Sequence, residues 1–152
     1  MVYLGLGSNL GDRQAHIQQA LALIADRAGT VCLVSDYFES PSWGYTSLNE
    51  YLNVAVAIET SLQPVELLAV NQEIERTMGR QDKTVNGEYH DRVIDIDILL
   101  FGDLIMSTET LTIPHPQLHR RAFVLHPMNE IAPQLIHPIL KKTMAEIYLT
   151  II

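Results

Sequence analysis

Two aspartates, Asp95 and Asp97, stand one residue apart in the stretch DRVIDIDILLFG (91–102), which is otherwise filled with isoleucine and leucine. Strands tend to exclude Asp, and residues two apart on a strand share a face. The spacing therefore puts both carboxylates on one side and Ile94, Ile96, Ile98 and Leu100 on the other. Two strand steps hold the aspartate backbones about 7 Å apart, where like charges repel unless something positive lies between them. Paired carboxylates are hard oxygen ligands of the kind Mg2+ takes one or two at a time, together with substrate phosphates. Two such ions about 4 Å apart can clamp an in-line displacement. A solvent-wetted strand face, each Asp paired with an Arg, is the other reading. The surrounding charge bears on the choice: the chain carries a net charge of -8, yet six of its ten Lys and Arg residues (Arg76, Arg80, Lys83, Arg92, Arg120, Arg121) fall between 76 and 121. An acidic protein that gathers its cations around two carboxylates is suited to a compact anion and poorly suited to general nucleic-acid or anionic-membrane binding.

Three further groups of residues could do chemistry. The glycines of GLGSNLG (5–11) suggest a dinucleotide loop, but the third is one residue late for G-x-G-x-x-G, and no Lys-Ser/Thr follows to make a P-loop. A tight turn, with Asn9 or Asp12 capping a helix, accounts for them better. His115 and His119 are four apart, but prolines flank the first and no thiolate is near, so zinc is not expected; His115 reads as a neutral hydrogen-bonding or phosphate-facing group. The stretch ESPSWGYTSLNEYLN (39–53) holds Trp43, Tyr45 and Tyr51 and ends at Asn53, while Phe123 lies downstream beside Arg120 and Arg121. Flat rings and an amide suit stacking on a planar heterocycle and reading its edge. Aromatics plugging the edge of a core are the alternative.

These residues need a scaffold. A chain of 152 residues, 47% apolar and 18% charged, is expected to form one domain (1–152). No run reaches the roughly 18 apolar residues of a membrane span, and the first residues enter a strand pattern with no charged leader, so no signal peptide is expected. The single cysteine, Cys32, excludes an internal disulfide, fits a reducing cytoplasm, and reads as a small buried hydrophobe. Periodicity predicts strands at 2–6, 30–38, 53–60, 94–101 and 104–107. It predicts helices over 12–28, with Ile17, Leu21, Ile24 and Ala28 inward, and over 64–78, with Leu67, Val70, Ile74 and Met78 inward. A last helix falls near KKTMAEIYL, after the proline- and histidine-rich TIPHPQLHRRAFVLHP. Gln72 and Glu75 are neighbours on another face of the second helix. A polar loop of about a dozen residues, RQDKTVNGEYHD, then leads to the aspartates and is long enough to suspect a lid. Short connections with few helical crossovers favour an antiparallel or mixed sheet with helices on one face, an α+β sandwich, over a doubly wound parallel sheet.

Four segments occur together and in order: GLGSNLGDR, YLNVAVAIET, R-x-I-D-I-D-I-L-L-F-G (92–102) and PHPQLHRRAFVLHPMNEIAP (114–133). Together they resemble the 6-hydroxymethyl-7,8-dihydropterin pyrophosphokinases of folate biosynthesis, from about residue 2 to residue 138. The resemblance implies a ferredoxin-like α+β fold and transfer of pyrophosphate from ATP to the pterin hydroxymethyl group, releasing AMP. It implies that Asp95 and Asp97 ligate two Mg2+ ions. Gln72, Glu75, Ile98, His115 and Arg121 match ATP-contacting positions, and Arg80 and Arg92 match catalytic, phosphate-contacting arginines. Ser40, Pro41, Trp43, Tyr51, Asn53 and Phe123, with Asp95, match the pterin pocket, Tyr51 and Phe123 as its stacking pair. The chain departs from the family between 80 and 91, where G-R-x-R and a Trp-Gly-Pro-Arg run are usual. Asp82 replaces the second Arg, Lys83 is the nearest substitute charge for ATP, and Tyr89 or His90 stands in place of the Trp. A cytoplasmic monomer with ATP and the pterin as its ligands, and no nucleic-acid or membrane partner, is the corresponding expectation. Taken without the resemblance, the residues also fit a non-catalytic nucleotide- or pterin-binding module, or a two-metal phosphohydrolase.

Overall fold

The structure is a computed structural model that describes residues 1–41, 49–79 and 93–152, with the backbone of 84–85 and 88–89. The chain runs β1 (Val2–Ser8), α1 (Arg13–Arg27), β2 (Thr30–Val34), β3 (Phe38–Ser40), β4 (Tyr51–Glu59), α2 (Pro64–Thr77), β5 (Thr84–Val85), β6 (Glu88–Tyr89), β7 (Asp95–Phe101), β8 (Met106–Ser107), β9 (Thr112–Ile113), α3 (Ala122–Ile131) and α4 (Met144–Leu149). Strands β2, β4, β1 and β7 lie side by side in that order, with β3 also paired to β4, and every one of these pairings is antiparallel. The α+β class expected from the sequence is the one observed.

Local signals explain where the first two helices lie. Asp12 caps α1 by accepting the Ala15 N–H at 3.1 Å, and Ile17, Ala20 and Ile24 bury the inward stripe. Gly29 ends the helix against β4, where a Cβ would stand 2.1 Å from the Glu59 carbonyl oxygen, so only glycine fits this approach. Pro64 opens α2, and Glu66 accepts the Gln63 N–H at 2.8 Å. Both helices pack on the sheet face formed by Leu4, Leu6, Val54, Val56, Ile96 and Ile98. Each such side chain contributes about 1.5–3 kcal/mol when withdrawn from water.

The opposite face differs from the one-sided sandwich read from the sequence. Helices α3 and α4 cover part of it, burying Leu125, Met128, Met144 and Ile147 against Ala55, Leu99 and Leu100. Helix α3 escaped the sequence reading because Pro127 lies inside it and because prolines and histidines mask its apolar spacing. Leu100 was expected to share a face with Ile94, Ile96 and Ile98, but a register shift in the β1–β7 pairing makes Leu99 an extra residue and carries Leu100 into the second cluster.

Three other expectations are corrected. The strand expected at 30–38 splits in two, because the Ser35 hydroxyl accepts the Ala55 N–H and diverts the chain between β2 and β3. Cys32, expected to be buried, is exposed: β2 is an edge strand, and the register shifts between Val31 and Leu33. The strand expected at 104–107 shrinks to β8. Asn71 lies in the middle of the buried face of α2, 1% exposed, and among the described residues neither amide atom has a partner. Such a group costs roughly 1–3 kcal/mol. Asn71→Leu is therefore expected to raise the urea midpoint without changing the slope, by about 1–2 kcal/mol in stability.

His137 anchors the turn before α4. Its Nδ1 accepts the N–H groups of Ile139 and Leu140 at 3.2 and 3.1 Å. Burial, and then the nearby His119, hold its pKa below the usual histidine value. The unfolded chain therefore binds this proton more readily, and the ring's contribution to stability is present above about pH 6.5 and is lost as pH falls below it. Melting temperatures measured at pH 7.5 and pH 5 should show this loss, and His137→Asn should reduce the difference between them.

Candidate active site

Across the open half of the second sheet face the strand register fixes a row of side chains. Phe38 of β3 pairs with Asn53 of β4, Asn53 with Gly7 of β1, and Gly7 with Asp95 of β7. In the next row, Ala55 pairs with Gly5 and Gly5 with Asp97. In these two rows β1 contributes only glycine, with Tyr3 the next residue on this face, and the sheet surface between Asn53 and the aspartates is recessed. The cleft above it is lined by Gly5, Gly7, Ser40, Pro41, Tyr51, Asn53, Asp95, Asp97, Arg121 and Phe123, among others. The sequence reading ended the first strand before Gly7; Gly7 instead lies inside β1 with Gly5. The alternation of LGLG (4–7) is the signal that identifies them as one strand face.

The two aspartates come from an edge strand whose outer side is secured by α2. Glu75, 3% exposed, accepts the Ile96 N–H at 2.8 Å, at the residue between Asp95 and Asp97. Ile98, named from the resemblance as an ATP contact, turns its side chain into the core shared with α1 and α2; toward a ligand it can offer its backbone. Gln72 is exposed one turn before Glu75. His115 follows β9 and donates its backbone N–H to the Leu99 oxygen at 2.9 Å. Its ring Nδ1 accepts the Gln117 N–H at 3.1 Å, so the neutral ring carries its proton on Nε2.

On the other wall, Asn53 Nδ2 donates to the Phe38 carbonyl and to Ser40 Oγ, both at 2.9 Å. The Tyr51 ring comes within 3.3 Å of where a Cβ on Gly7 would stand. Arg121, the residue before α3, places its guanidinium 5.4 Å from the centre of the Phe123 ring. Arg13 ties the chain on both sides of the aromatic stretch to α1: it donates to Glu39 Oε1 at 2.8 Å and to the Glu50 carbonyl at 3.0 Å. This guanidinium holds the Glu39 carboxyl below the usual range.

The structure therefore brings Ser40, Pro41, Tyr51, Asn53, Asp95, Asp97, Arg121 and Phe123 to one cleft. Trp43, Arg80, Lys83 and Arg92 lie outside the described residues, as does the side chain of Tyr89. Among the described residues, no cluster of three or more His, Cys, Asp or Glu side chains could hold a metal. Two carboxylates, with no third such ligand among the described residues, fit Mg2+, which keeps waters and takes oxygens from substrate phosphates, and do not fit zinc.

A family profile described as 7,8-dihydro-6-hydroxymethylpterin-pyrophosphokinase matches residues 3–133. The chain belongs to this family. A Porphyromonas gingivalis 2-amino-4-hydroxy-6-hydroxymethyldihydropteridine pyrophosphokinase is 44% identical over 140 residues, 91% of this chain and 94% of its own length. The enzyme of the same name from Bacillus subtilis is 43% identical over 136 residues, 89% of this chain and 80% of its own. Among solved structures, a Plasmodium falciparum HPPK-DHPS with pteroate superposes with a TM-score of 0.80 at 16% identity, over 98% of this chain; the chain spans 44% of that protein's length. As a member of the pyrophosphokinase family, the chain transfers pyrophosphate from ATP to the hydroxymethyl group of 6-hydroxymethyl-7,8-dihydropterin in folate biosynthesis. Among the described residues no helix is long and apolar enough to cross a membrane.

Proposed function

We propose that the cleft holds the pterin between Asn53 and the aspartates, and the ATP polyphosphate at Asp95 and Asp97. The register of Asn53, Gly7 and Asp95 carries this reading. Asn53 and Asp95 stand two strand spacings apart, about 9–10 Å, with only glycine between. A flat bicyclic ring can lie over that floor, against the Tyr51 ring that packs on Gly7, one edge against the amide and its one-carbon arm reaching the carboxylates. Tyr51 and Phe123, on the cleft walls, sandwich the ring.

Asp95 and Asp97 would hold two Mg2+ ions. Bound there, Mg2+ neutralises phosphate charge and makes the pterin hydroxyl a better nucleophile. The protein's own contribution is positioning and charge. Arg121 supplies a fixed positive charge at the cleft wall. His115, its Nδ1 already engaged by Gln117, presents an Nε2–H that can donate to a phosphate. Arg80, Arg92 and Lys83 add phosphate contacts, Lys83 as a point charge without the arginine fork. Gln72 and the Ile98 backbone serve the nucleotide end. No side-chain base is needed, and the protein works as a cytoplasmic monomer.

The test is a product assay with purified protein, Mg2+, ATP and 6-hydroxymethyl-7,8-dihydropterin. AMP should form one-for-one with pterin diphosphate. Phosphate released from ATP without pterin would instead mean hydrolysis, and binding of both ligands without turnover would mean a sensor.

A further inference from the structure

Helix α3 brings Phe123 to one wall of the cleft, and the short strand β3 ends at another with Ser40. These two elements are tied to each other by side chains that do not line the cleft. His126 lies one turn after Phe123 on α3. Its ring stacks on Phe38 of β3, with centroids 4.5 Å apart and planes 18° from parallel. Phe38 pairs with Asn53, and two residues along Ser40 pairs with Tyr51, so this contact is made on the cleft side of the sheet. One turn further along α3, Glu130 accepts the Asp36 N–H at 2.8 Å, just before β3. The His126 ring is itself held from α4. Tyr148 meets it edge-on, centroids 5.5 Å apart at 78°, with its hydroxyl 2.6 Å from His126 Nδ1. A phenol can donate or accept, so the pair holds whether or not Nδ1 carries a proton. His126 is exposed, and without that bond its ring is free to take another rotamer and leave the stack.

We propose that His126 and Tyr148 are positioning residues for the pterin site. Tyr148 locks the His126 ring, and the ring sets how far β3 stands from α3. That distance in turn sets the separation of Phe123 from Ser40 and its partner Tyr51. The inference rests on the pterin reading given above and extends it to two side chains that need not touch the ligand. A flat ring held between two walls requires them at one spacing, since a gap of about 0.5–1 Å already forfeits a quarter to a half of a contact's attraction. The metal end of the cleft is independent of this tie, because β7 is secured from the other side of the molecule by Glu75 of α2. Loss of the tie should therefore be felt by the pterin and not by ATP. An exposed histidine and one hydrogen bond at the surface add little to global stability, so the effect should be separable from unfolding.

Calorimetry with 6-hydroxymethylpterin in the presence of Mg2+ and a non-hydrolysable ATP analogue, and with the analogue alone, tests this. Tyr148→Phe removes one hydroxyl and should weaken pterin binding about threefold to tenfold. His126→Ala removes the stack as well and should weaken it by about tenfold or more. Neither should change affinity for the analogue by more than about twofold, and in turnover the pterin KM should rise while kcat stays within about threefold. His126→Phe keeps a stacking ring without the hydrogen bond and should match Tyr148→Phe. The Tyr148→Phe, His126→Ala double variant should bind pterin no worse than His126→Ala alone, because Tyr148 acts only through His126. Unchanged pterin affinity in His126→Ala, equal weakening of the analogue, or additive losses in the double variant would overturn the proposal while leaving the pterin site intact. Should the alanine variant not fold, unchanged pterin affinity in both Tyr148→Phe and His126→Phe overturns it equally. A wild-type protein that binds no pterin would overturn the substrate site and this inference with it.

Discussion

Asp97→Ala is expected to lower kcat on the order of a hundred- to a thousandfold at ordinary Mg2+, the scale seen when a group that stabilises transition-state charge is removed. The reasoning starts from the register. Asp97 sits opposite Gly5 and Asp95 opposite Gly7, so no side chain on β1 stands between the carboxylates and a ligand on the floor. With no third acidic or histidine ligand clustered there among the described residues, loss of one carboxylate halves the charge the protein offers a cation. The defect should include a steep rise in the Mg2+ concentration needed for half-maximal rate. Asp97→Asn, which keeps the shape and loses the charge, should share the defect, while melting temperatures of both variants stay near wild type. Turnover of the alanine variant close to wild type at ordinary Mg2+ would refute the metal assignment.

The second large effect is expected at a residue that need not touch phosphate. Glu75 holds the Ile96 N–H from the outer side of the edge strand, and Ile96 lies between the two aspartates. Glu75→Leu would leave that buried N–H without its acceptor, at a cost of about 1–3 kcal/mol, and would let the aspartate strand shift. The expected result is a fall in kcat on the order of tenfold to a hundredfold, together with a lower melting temperature. Glu75→Gln retains a carbonyl oxygen that can accept the same hydrogen bond. If positioning is the role, the glutamine variant should recover most of the rate and stability. If the negative charge itself acts on ATP or its metal, glutamine should be as poor as leucine, so the two variants measured side by side decide the question.

Both experiments rest on features that were unequally legible in the sequence. The aspartate pair declared itself, because two charges at period two inside an isoleucine run have few structural explanations. The aromatic wall was legible in part: Tyr51, Asn53 and Phe123 stood out by residue type and Ser40 through the resemblance, and all four line one cleft, but no sequence pattern shows that a single register row joins Asn53 to Asp95. Gly7 misled, since GSNLG looks like a turn, whereas Gly7, like Gly5 before it, is a strand residue whose value is the absence of a side chain. Helix α3 was hidden by Pro127, and Leu100 changed sides through one inserted residue. Both are local departures from periodicity that pairing partners settle and spacing cannot. Glu75 looked like a surface neighbour of Gln72, yet one of the pair is buried and the other exposed, because the helix faces an edge strand that needs an acceptor.

The bare floor of β1 also bears on the entropy of binding. A pocket lined by long side chains must freeze their rotamers when a ligand arrives, at about 0.5–1.5 kcal/mol for each one immobilised. β1 itself adds no rotamers at Gly5 and Gly7; what packs over them is the Leu99 side chain, the Tyr51 ring and the Asn53 amide, the last held by two hydrogen bonds. Such a surface is preorganised for a rigid, flat molecule. Its affinity should therefore depend little on loss of protein motion beneath the ring and mainly on how closely the ring's shape and polar edge match a template that does not adjust.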